Sequence, residues 1–415
     1  MTQLGDVTEM LVGFAFKSAG FLDADSDGVR LLRGDNVQQG YIRWGDKTKK
    51  WPTAECDELE RYQLAEDDVI LAMDRPIVGD GLKMAWIRQE DLPTLLVQRV
   101  CRLRGKPGVA LTNFIRYVLA APDFSGHIHR ITTGANIPHI SGKDIAAYEF
   151  DLPDLDDQAR IVECLSAYDD LITANQRRIA LLEDAARRLY REWFVHLRFP
   201  GHESVVVKDG VPEGWQSATF ADLVEINPRT PFIKDIERPF IEMSALSETS
   251  MVIGNPSMRV IGGGAKFKNG DTLFARITPC TENGKTGFVQ FLEDENAVAS
   301  GSTEFIVLRS ATVNPWWVYC MAREANFREH AIRSMAGSDG RQRVNPKCFD
   351  QLITLQPPQP VLAQFEQAVK DSFTQIETLC KQNEQLARAR DLLLPKLMSG
   401  QLDVSGIRLH EEATA

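Results

Sequence analysis

Residues 154–200 read DLDDQARIVECLSAYDDLITANQRRIALLEDAARRLYREWFVHLRFP, and the spacing inside this stretch decides the fold. Ile161, Leu165, Tyr168, Ile172, Asn175, Ile179, Leu182, Ala186, Leu189 and Trp193 follow one another at steps of four and three without a break. A mean step of about 3.5 residues is the period of a coiled-coil seam, narrower and more regular than the stripe of an ordinary surface helix. Asp154 suits the N-cap and Pro153 precedes it, while Phe199-Pro200-Gly201 marks the stop. A second stretch repeats the pattern: Phe365, Val369, Ser372, Ile376, Leu379, Asn383, Leu386, Arg390, Leu393 and Leu397. Pro357-Pro358 and Pro360 precede it and Ser399-Gly400 follows it, and Pro395 is expected to kink or end the helix before the Leu397 layer.

Each seam carries one Asn, and their phases differ: Asn175 falls at a d position and Asn383 at an a position. Antiparallel coils stack a against d, so facing residues have numbers with a constant sum. A sum of 558 sets Asn175 opposite Asn383, Ala186 opposite Ser372 and Tyr168 opposite Arg390. Buried Asn pairs fix register at some cost in stability, so Asn175 and Asn383 are the expected register device. The expected layout is two long helices lying antiparallel.

At 415 residues there is room for two or three cores. A hydrophobic content of 43% with 25% charged residues describes a globular chain without a membrane span, and the polar, acidic N-terminus does not resemble a signal peptide. Seven scattered cysteines, with no C-x-x-C, fit free thiols in a reducing cytoplasm. A net charge of −11 argues against tight nucleic-acid binding by the chain alone. Two stretches reverse the balance: Arg99, Arg102, Arg104, Lys106 and Arg116 with no acid among them, and Arg323, Arg328, Arg333, Arg341, Arg343 and Lys347 against three acids.

The chain also repeats itself. Asp68-Val-Ile-Leu-Ala72 is similar to Asp271-Thr-Leu-Phe-Ala275, and at the same offset of 203 Pro76 matches Pro279, Gly81 matches Gly284 and Gly134 matches Gly337. Matches in one order at one offset indicate duplication of a whole domain. Short apolar runs bounded by Gly, Pro and Asp predict strands at 69–73, 95–100, 272–277, 287–291 and 303–308; helices are expected at 112–121 and 316–331. The polar loops 132–139 and 336–345 then occupy corresponding places. The fold class is α+β: two duplicated recognition-type domains, 1–152 and 201–356, joined by helices at 153–200 and 357–402, with a tail at 403–415.

Catalytic and metal motifs are sought and not found. Gly284-Lys285-Thr286 resembles the end of a phosphate-binding P-loop, but the required upstream glycine position is Pro279. Gly262-Gly-Gly264 lacks dinucleotide-binding spacing, and His127, His129 and His139 have no Cys or acidic partner at ligand spacing. The chain is expected to catalyse nothing and to hold no metal. DNA-binding candidates are Lys47, Lys49 and Lys50 between Trp44 and Trp51, with Arg75, Thr133 and Asn136, in the first domain. In the second they are Lys266, Lys268, Arg276, Ser338, Arg341, Gln342 and Arg343. Lysines can hold a phosphate backbone, and Arg341-Gln342-Arg343 can donate in pairs to guanine or adenine edges.

The whole chain resembles the specificity subunit of Type I restriction–modification enzymes. The resemblance rests on Leu152-Pro-Asp-Leu-Asp-Asp-Gln158 entering the first helix and Leu393-Leu-Pro-Lys-Leu-Met-Ser-Gly400 closing the second, with Phe14-Ala-Phe-Lys-Ser18 and Asp68–Ala72. It implies that each domain reads half of an asymmetric, split site in double-stranded DNA. It further implies that the helices set the gap and dock two methyltransferase subunits, which bind S-adenosylmethionine and flip the target adenine, while restriction subunits use ATP and Mg2+. This chain would carry none of these cofactors. From Ile161 to Trp193 a helix at ~1.5 Å per residue spans about 48 Å. That length matches roughly 14 base pairs, a little over one turn of duplex. A coiled-coil adaptor displaying two protein-binding domains is the alternative, and a single-chain nuclease a remoter one.

Overall fold

The computed structural model describes residues 1–407 apart from 46, 80, 133–137, 234, 261, 262, 295 and 339. It divides into two compact units, one of residues 1–171 with 386–415 and one of residues 172–385.

The first unit is built on a four-stranded antiparallel sheet ordered Thr8–Val12, Val100–Gly105, Val69–Ala72, Met84–Trp86. Successive side chains of a strand point to opposite faces, and the Val69–Ala72 run is buried on both. Val69 and Leu71 pack with Phe114, Ile115 and Leu119 of the helix Thr112–Ala120 and with Phe124 of the helix Pro122–Ile131. Ile70 and Ala72 face the other way, onto Leu32, Val37, Ala85 and Leu96. Leu32 and Leu96 belong to a smaller sheet of Lys50–Trp51, Val29–Leu32 and Thr94–Leu96, whose last two strands are parallel. The strand expected at 95–100 is thus two strands of different sheets, separated where Arg99 takes a left-handed φ of 65°.

The second unit has a sheet of the same order: Val224–Ile226, Phe305–Ser310, Thr272–Ala275, Thr286–Phe288. Here too the alternation splits the core. Phe274, Ile306 and Leu308 pack with Trp317 and Phe327, whereas Leu273, Phe305 and Val307 pack with Ile241, Phe267 and Ala299. The covering helix expected at 316–331 is two helices, Pro315–Ala322 and Ala325–Arg333. One ion pair occurs in both units. Arg104 binds Asp68, with Nη2 2.8 Å from Oδ2, and Arg309 binds Asp271 through Nε and Nη2, each at 2.7 Å. Both aspartates are almost wholly buried, at 2% and 1% exposure, so the matching Asp at the head of each repeated run anchors the adjacent strand.

The central helix runs Leu155–Tyr190, capped by Asp154, whose Oδ1 accepts from Asp157 N at 2.9 Å. Gln158 is fully buried and satisfied three times: it accepts from Leu111 N (2.9 Å) and donates to Val109 O (3.1 Å) and Pro153 O (2.9 Å). The helix expected over 153–200 does not continue as an α-helix to its end. Arg191–Val195 form a π turn, and the extra residue rotates the aromatic pair so that Trp193 and Phe194 both reach Phe365, at 5.9 and 5.0 Å between ring centroids.

The C-terminal helix spans Gln359–Met398 straight through Pro395, contrary to the expected break. Pro395 removes the bond to the carbonyl of Asp391, but both residues are exposed, so water can satisfy that oxygen. Leu394 and Leu397 are each 5% exposed and pack into the first unit's core with Ile161 and Leu165. Within the first unit Arg390 Nη1 also lies 2.7 Å from Asp169 Oδ1. Within the second, Asn175 Nδ2 donates to Asn383 Oδ1 at 2.9 Å, and Tyr190 meets Phe365 at 6.3 Å. In each unit one number rises as the other falls, so the paired segments run antiparallel. No helix among the described residues is long and apolar enough to cross a membrane.

Candidate nucleic-acid interface

In the second unit the strand Thr272–Ala275 runs on into a segment that is stitched to the 336–345 loop. Val344 N donates to Arg276 O (2.8 Å), Thr278 N donates to Gln342 O (3.0 Å), and Ile277 bridges Arg343. Ala336 and Arg343 close the loop on itself with two backbone bonds of 3.1 and 2.9 Å. The tip needs residues free to take positive φ, and Gly337 (φ 133°) and Gly340 (φ 75°) supply them. Ser338, Arg341 and Arg343 are exposed and Gln342 is half-buried.

The two arginines of the tip differ. Arg343 is forked onto Glu304, with Nε 2.9 and 3.0 Å from the two carboxylate oxygens and Nη2 2.8 Å from Oε1. The Arg341 guanidinium has no partner among the described residues, so of the pair it is the one presented for a ligand. Arg276 is half-buried, and its Nε is enclosed without a hydrogen-bond partner. Lys266 is engaged: its ammonium donates to the carbonyls of Gly263 and Gly264 and lies 4.7 Å above the Phe232 ring. Burial, with Arg238 nearby, lowers its pKa from the ordinary lysine value. Lys268 is exposed.

The first unit joins the corresponding segments in the same way. Ile140 N donates to Met73 O (3.0 Å), Arg75 N donates to Pro138 O (2.7 Å), and Asp74 bridges His139. Here the ionic contact comes from the other side: Asp74 takes Arg99 at 3.0 Å and His139 at 2.7 Å. Arg75 is exposed, with a left-handed φ of 46°. Thr133 and Asn136, like the repeat position Gly134, lie outside the described residues. Of the three lysines between Trp44 and Trp51, only Lys47 is exposed and uncommitted. Lys49 pairs with Asp23 and Lys50 donates to Ser26 O at 2.7 Å, because the strand Lys50–Trp51 is folded against Val29–Leu32 and its neighbours.

The first basic run is largely engaged by contacts within its own unit, whereas in the second Arg333, Arg341, Arg343 and Lys347 are exposed. Arg102 is 7% exposed, Arg104 serves Asp68, Arg99 serves Asp74, and Lys106 donates to Asp6 O at 2.7 Å. Arg116, also 7% exposed, binds Asp169 at 3.1 Å and lies 4.3 Å over Trp86. In the other run Arg323 is buried against Gly284 O at 2.9 Å. Beside Arg75 the fold sets two cations that sequence pattern does not single out, Arg43 and Lys83. The only sequence signal for Lys83 is a lysine near its repeat position, Lys285.

Comparison with known proteins agrees with this frame. The family model of the Type I restriction modification DNA specificity domain matches residues 1–184. The EcoAI specificity subunit of Escherichia coli is 36% identical over 172 residues, which are 41% of this chain and 28% of that subunit's length. The MjaIX specificity subunit of Methanocaldococcus jannaschii is 23% identical over 316 residues, covering 72% of this chain and 71% of its own. A crystal structure of the Type I S subunit from M. genitalium shares the fold at a TM-score of 0.50 and 13% identity, over 95% of each chain. Residues 1–184 thus match the Type I restriction modification DNA specificity domain, and the chain is similar in sequence to specificity subunits of Type I restriction enzymes.

Proposed function

We propose that this chain is the non-catalytic DNA-reading subunit of a Type I restriction–modification complex. It reads a bipartite, asymmetric site in duplex DNA and scaffolds two methyltransferase subunits and the restriction subunits, in the cytoplasm. S-adenosylmethionine, ATP and Mg2+ act in those partners. The observation that carries this reading is the recurrence of one sheet order, one buried Asp–Arg pair and one stitched loop junction in both units, with different side chains at the junctions. A duplicated frame with unlike loops is what reading two unlike half-sites requires.

On this reading residues 1–152 and 201–356 are the two recognition domains, and 153–200 and 357–402 are coiled-coil spacers with Asn175 and Asn383 fixing their register. Arg341 and Gln342 are the best placed to meet bases, Ser338 to meet phosphate, and Lys47, Lys268 and Arg276 to support the backbone. The test is to map methylated adenines in DNA from cells with and without the chain, then with residues 1–152 exchanged for another member's first domain. One half of the methylated site should change and the other persist. Loss of both halves in a well-folded chimera, or methylation independent of the chain, overturns the reading.

A further inference from the structure

We propose that Arg43, Arg75 and Lys83 form a phosphate-binding site in the first unit that grips one phosphodiester of the DNA backbone. This rests on the DNA-reading function above and deepens it by naming a contact that holds register without reading sequence.

Lys83 is the unusual member. It is only 9% exposed, yet no carboxylate or carbonyl among the described residues takes its ammonium. Buried lysines are rare unless paired, because desolvating a charge is costly. Its backbone is fixed between two elements: Lys83 N donates to Pro76 O at 2.7 Å and Lys83 O accepts from Ala72 N at 2.9 Å. Burial lowers the pKa of the ammonium, and Arg75 and Arg43 are near enough to lower it further. The acids that oppose them are already engaged, Asp74 by Arg99 and His139, and Asp35 by Arg33 at 3.8 Å.

Both arginines are exposed and have no side-chain partner among the described residues. Arg75 is set by a left-handed backbone, which a branched-chain or long residue adopts only where the surroundings impose it, here the bond to Pro138 O. Arg43 closes the turn in which Val37 bridges Ile42, and that turn lies on the strand after Lys83, with Gly40 N 2.8 Å from Met84 O.

The fold itself does not demand a lone ammonium here. In the second unit Lys285 holds the same backbone place, its carbonyl accepting from Ala275 N at 3.1 Å, and it donates its ammonium to Met243 O at 3.1 Å. Three mutually repelling cations, one sunk and two open, want a multi-oxygen anion. Guanidinium forks and an ammonium suit the oxygens of a phosphate. Because the site is open on the arginine side, the anion can belong to a larger molecule, as a backbone phosphate does.

The experiment uses the full chain assembled with its methyltransferase subunits, wild type and Lys83→Met, and a thermal melt of each. Affinity for cognate and scrambled duplex is measured by anisotropy over a range of KCl. Lys83→Met keeps the stem and removes the desolvated charge, so its Tm should be unchanged or higher. Binding should nonetheless weaken by the same factor on both duplexes, and the slope of log K against log salt should fall by about 0.9. A purely structural lysine would not lower affinity while leaving Tm intact. If Lys83→Met fails to fold, Arg43→Gln and Arg75→Gln, both at exposed positions, must show the same loss of slope. Unchanged affinity and slope in well-folded variants overturns the site. So does protection by inorganic phosphate of the wild type alone with DNA binding unaltered, which would assign the site to free phosphate. No salt-dependent DNA binding by the wild-type complex would instead sink the DNA-reading function itself.

Discussion

The Asn175–Asn383 pair gives an asymmetric prediction. Asn175 is 7% exposed, Asn383 is half-buried, and one bond of 2.9 Å joins them. Asn383→Leu deletes the acceptor and strands a buried amide, which costs about 1–3 kcal/mol. Asn175→Leu strands the amide that water can reach, losing a bond worth about 1 kcal/mol. The new leucine buries apolar surface worth about 1.5–3 kcal/mol at most, so that variant should lie near neutral. Replacing both partners leaves no orphan, and the double variant should match or exceed the wild type. The cycle should therefore show a coupling of about 1–2 kcal/mol, with Asn383→Leu the worse single change. The chain has two units, and a local change in one is read most directly by a local measurement. The local free energy is better taken from amide hydrogen exchange in 172–190 and 365–385. Additive single effects, or equal costs at the two positions, would show that the amides do not depend on each other in a closed seam.

Three further outcomes are expected. Asp271→Ala should cost about 3–5 kcal/mol by leaving Arg309, 16% exposed, without its counter-charge, and Asp68→Ala should cost less because Arg104 is 32% exposed; urea unfolding of each variant checks the order. Arg341→Ala should weaken DNA binding by about 1–3 kcal/mol and relax one position of a half-site, whereas Arg343→Ala should mainly loosen the loop that Glu304 holds; anisotropy against single-base variants separates them. Burial pushes the Cys101 thiol up to about 12, so raising the pH from 7 to 9 should speed labelling of the unfolded chain but leave native Cys101 unlabelled, as mass spectrometry can read.

What could be read from the sequence was what depends on spacing. Seam steps of four and three set Asn175 against Asn383, and the offset of 203 found the buried inner strand of each sheet together with the Asp that precedes it. What could not be read depends on partners far along the chain. Counting charge between Arg99 and Arg116 finds no acid, yet Asp68, Asp74 and Asp169 come to meet those side chains. Local charge density along the chain therefore overstated how many of these side chains lack an acidic partner. Pro395 misled for a related reason. A helix-interior proline costs about 3 kcal/mol. Burying Leu394 and Leu397 contributes about 1.5–3 kcal/mol each and outweighs it, but only in a core assembled from distant residues. The π turn at Arg191–Val195 likewise answers to Phe365, more than a hundred and fifty residues away.

The loop junctions show why site residues cannot be carried from one unit to the other by the offset. The backbone stitches correspond: Met73 N to Arg99 O (2.9 Å) with Arg276 N to Glu304 O (3.0 Å), and Arg75 N to Pro138 O with Thr278 N to Gln342 O. The side chains riding on them do not. Arg75 corresponds to Thr278, Arg276 to Met73, and Arg99 to Glu304. At each junction an acid–base contact closes the loop, but the acid sits at Asp74 in one unit and at Glu304 in the other. Closing the junction constrains the pair only to be opposite in charge and leaves open which strand supplies which sign. Each unit is then free to present a different set of groups without a side-chain partner among the described residues, Arg43, Arg75 and Lys83 in the first and Arg341 in the second. A single frame can in this way hold two unlike surfaces without changing its core.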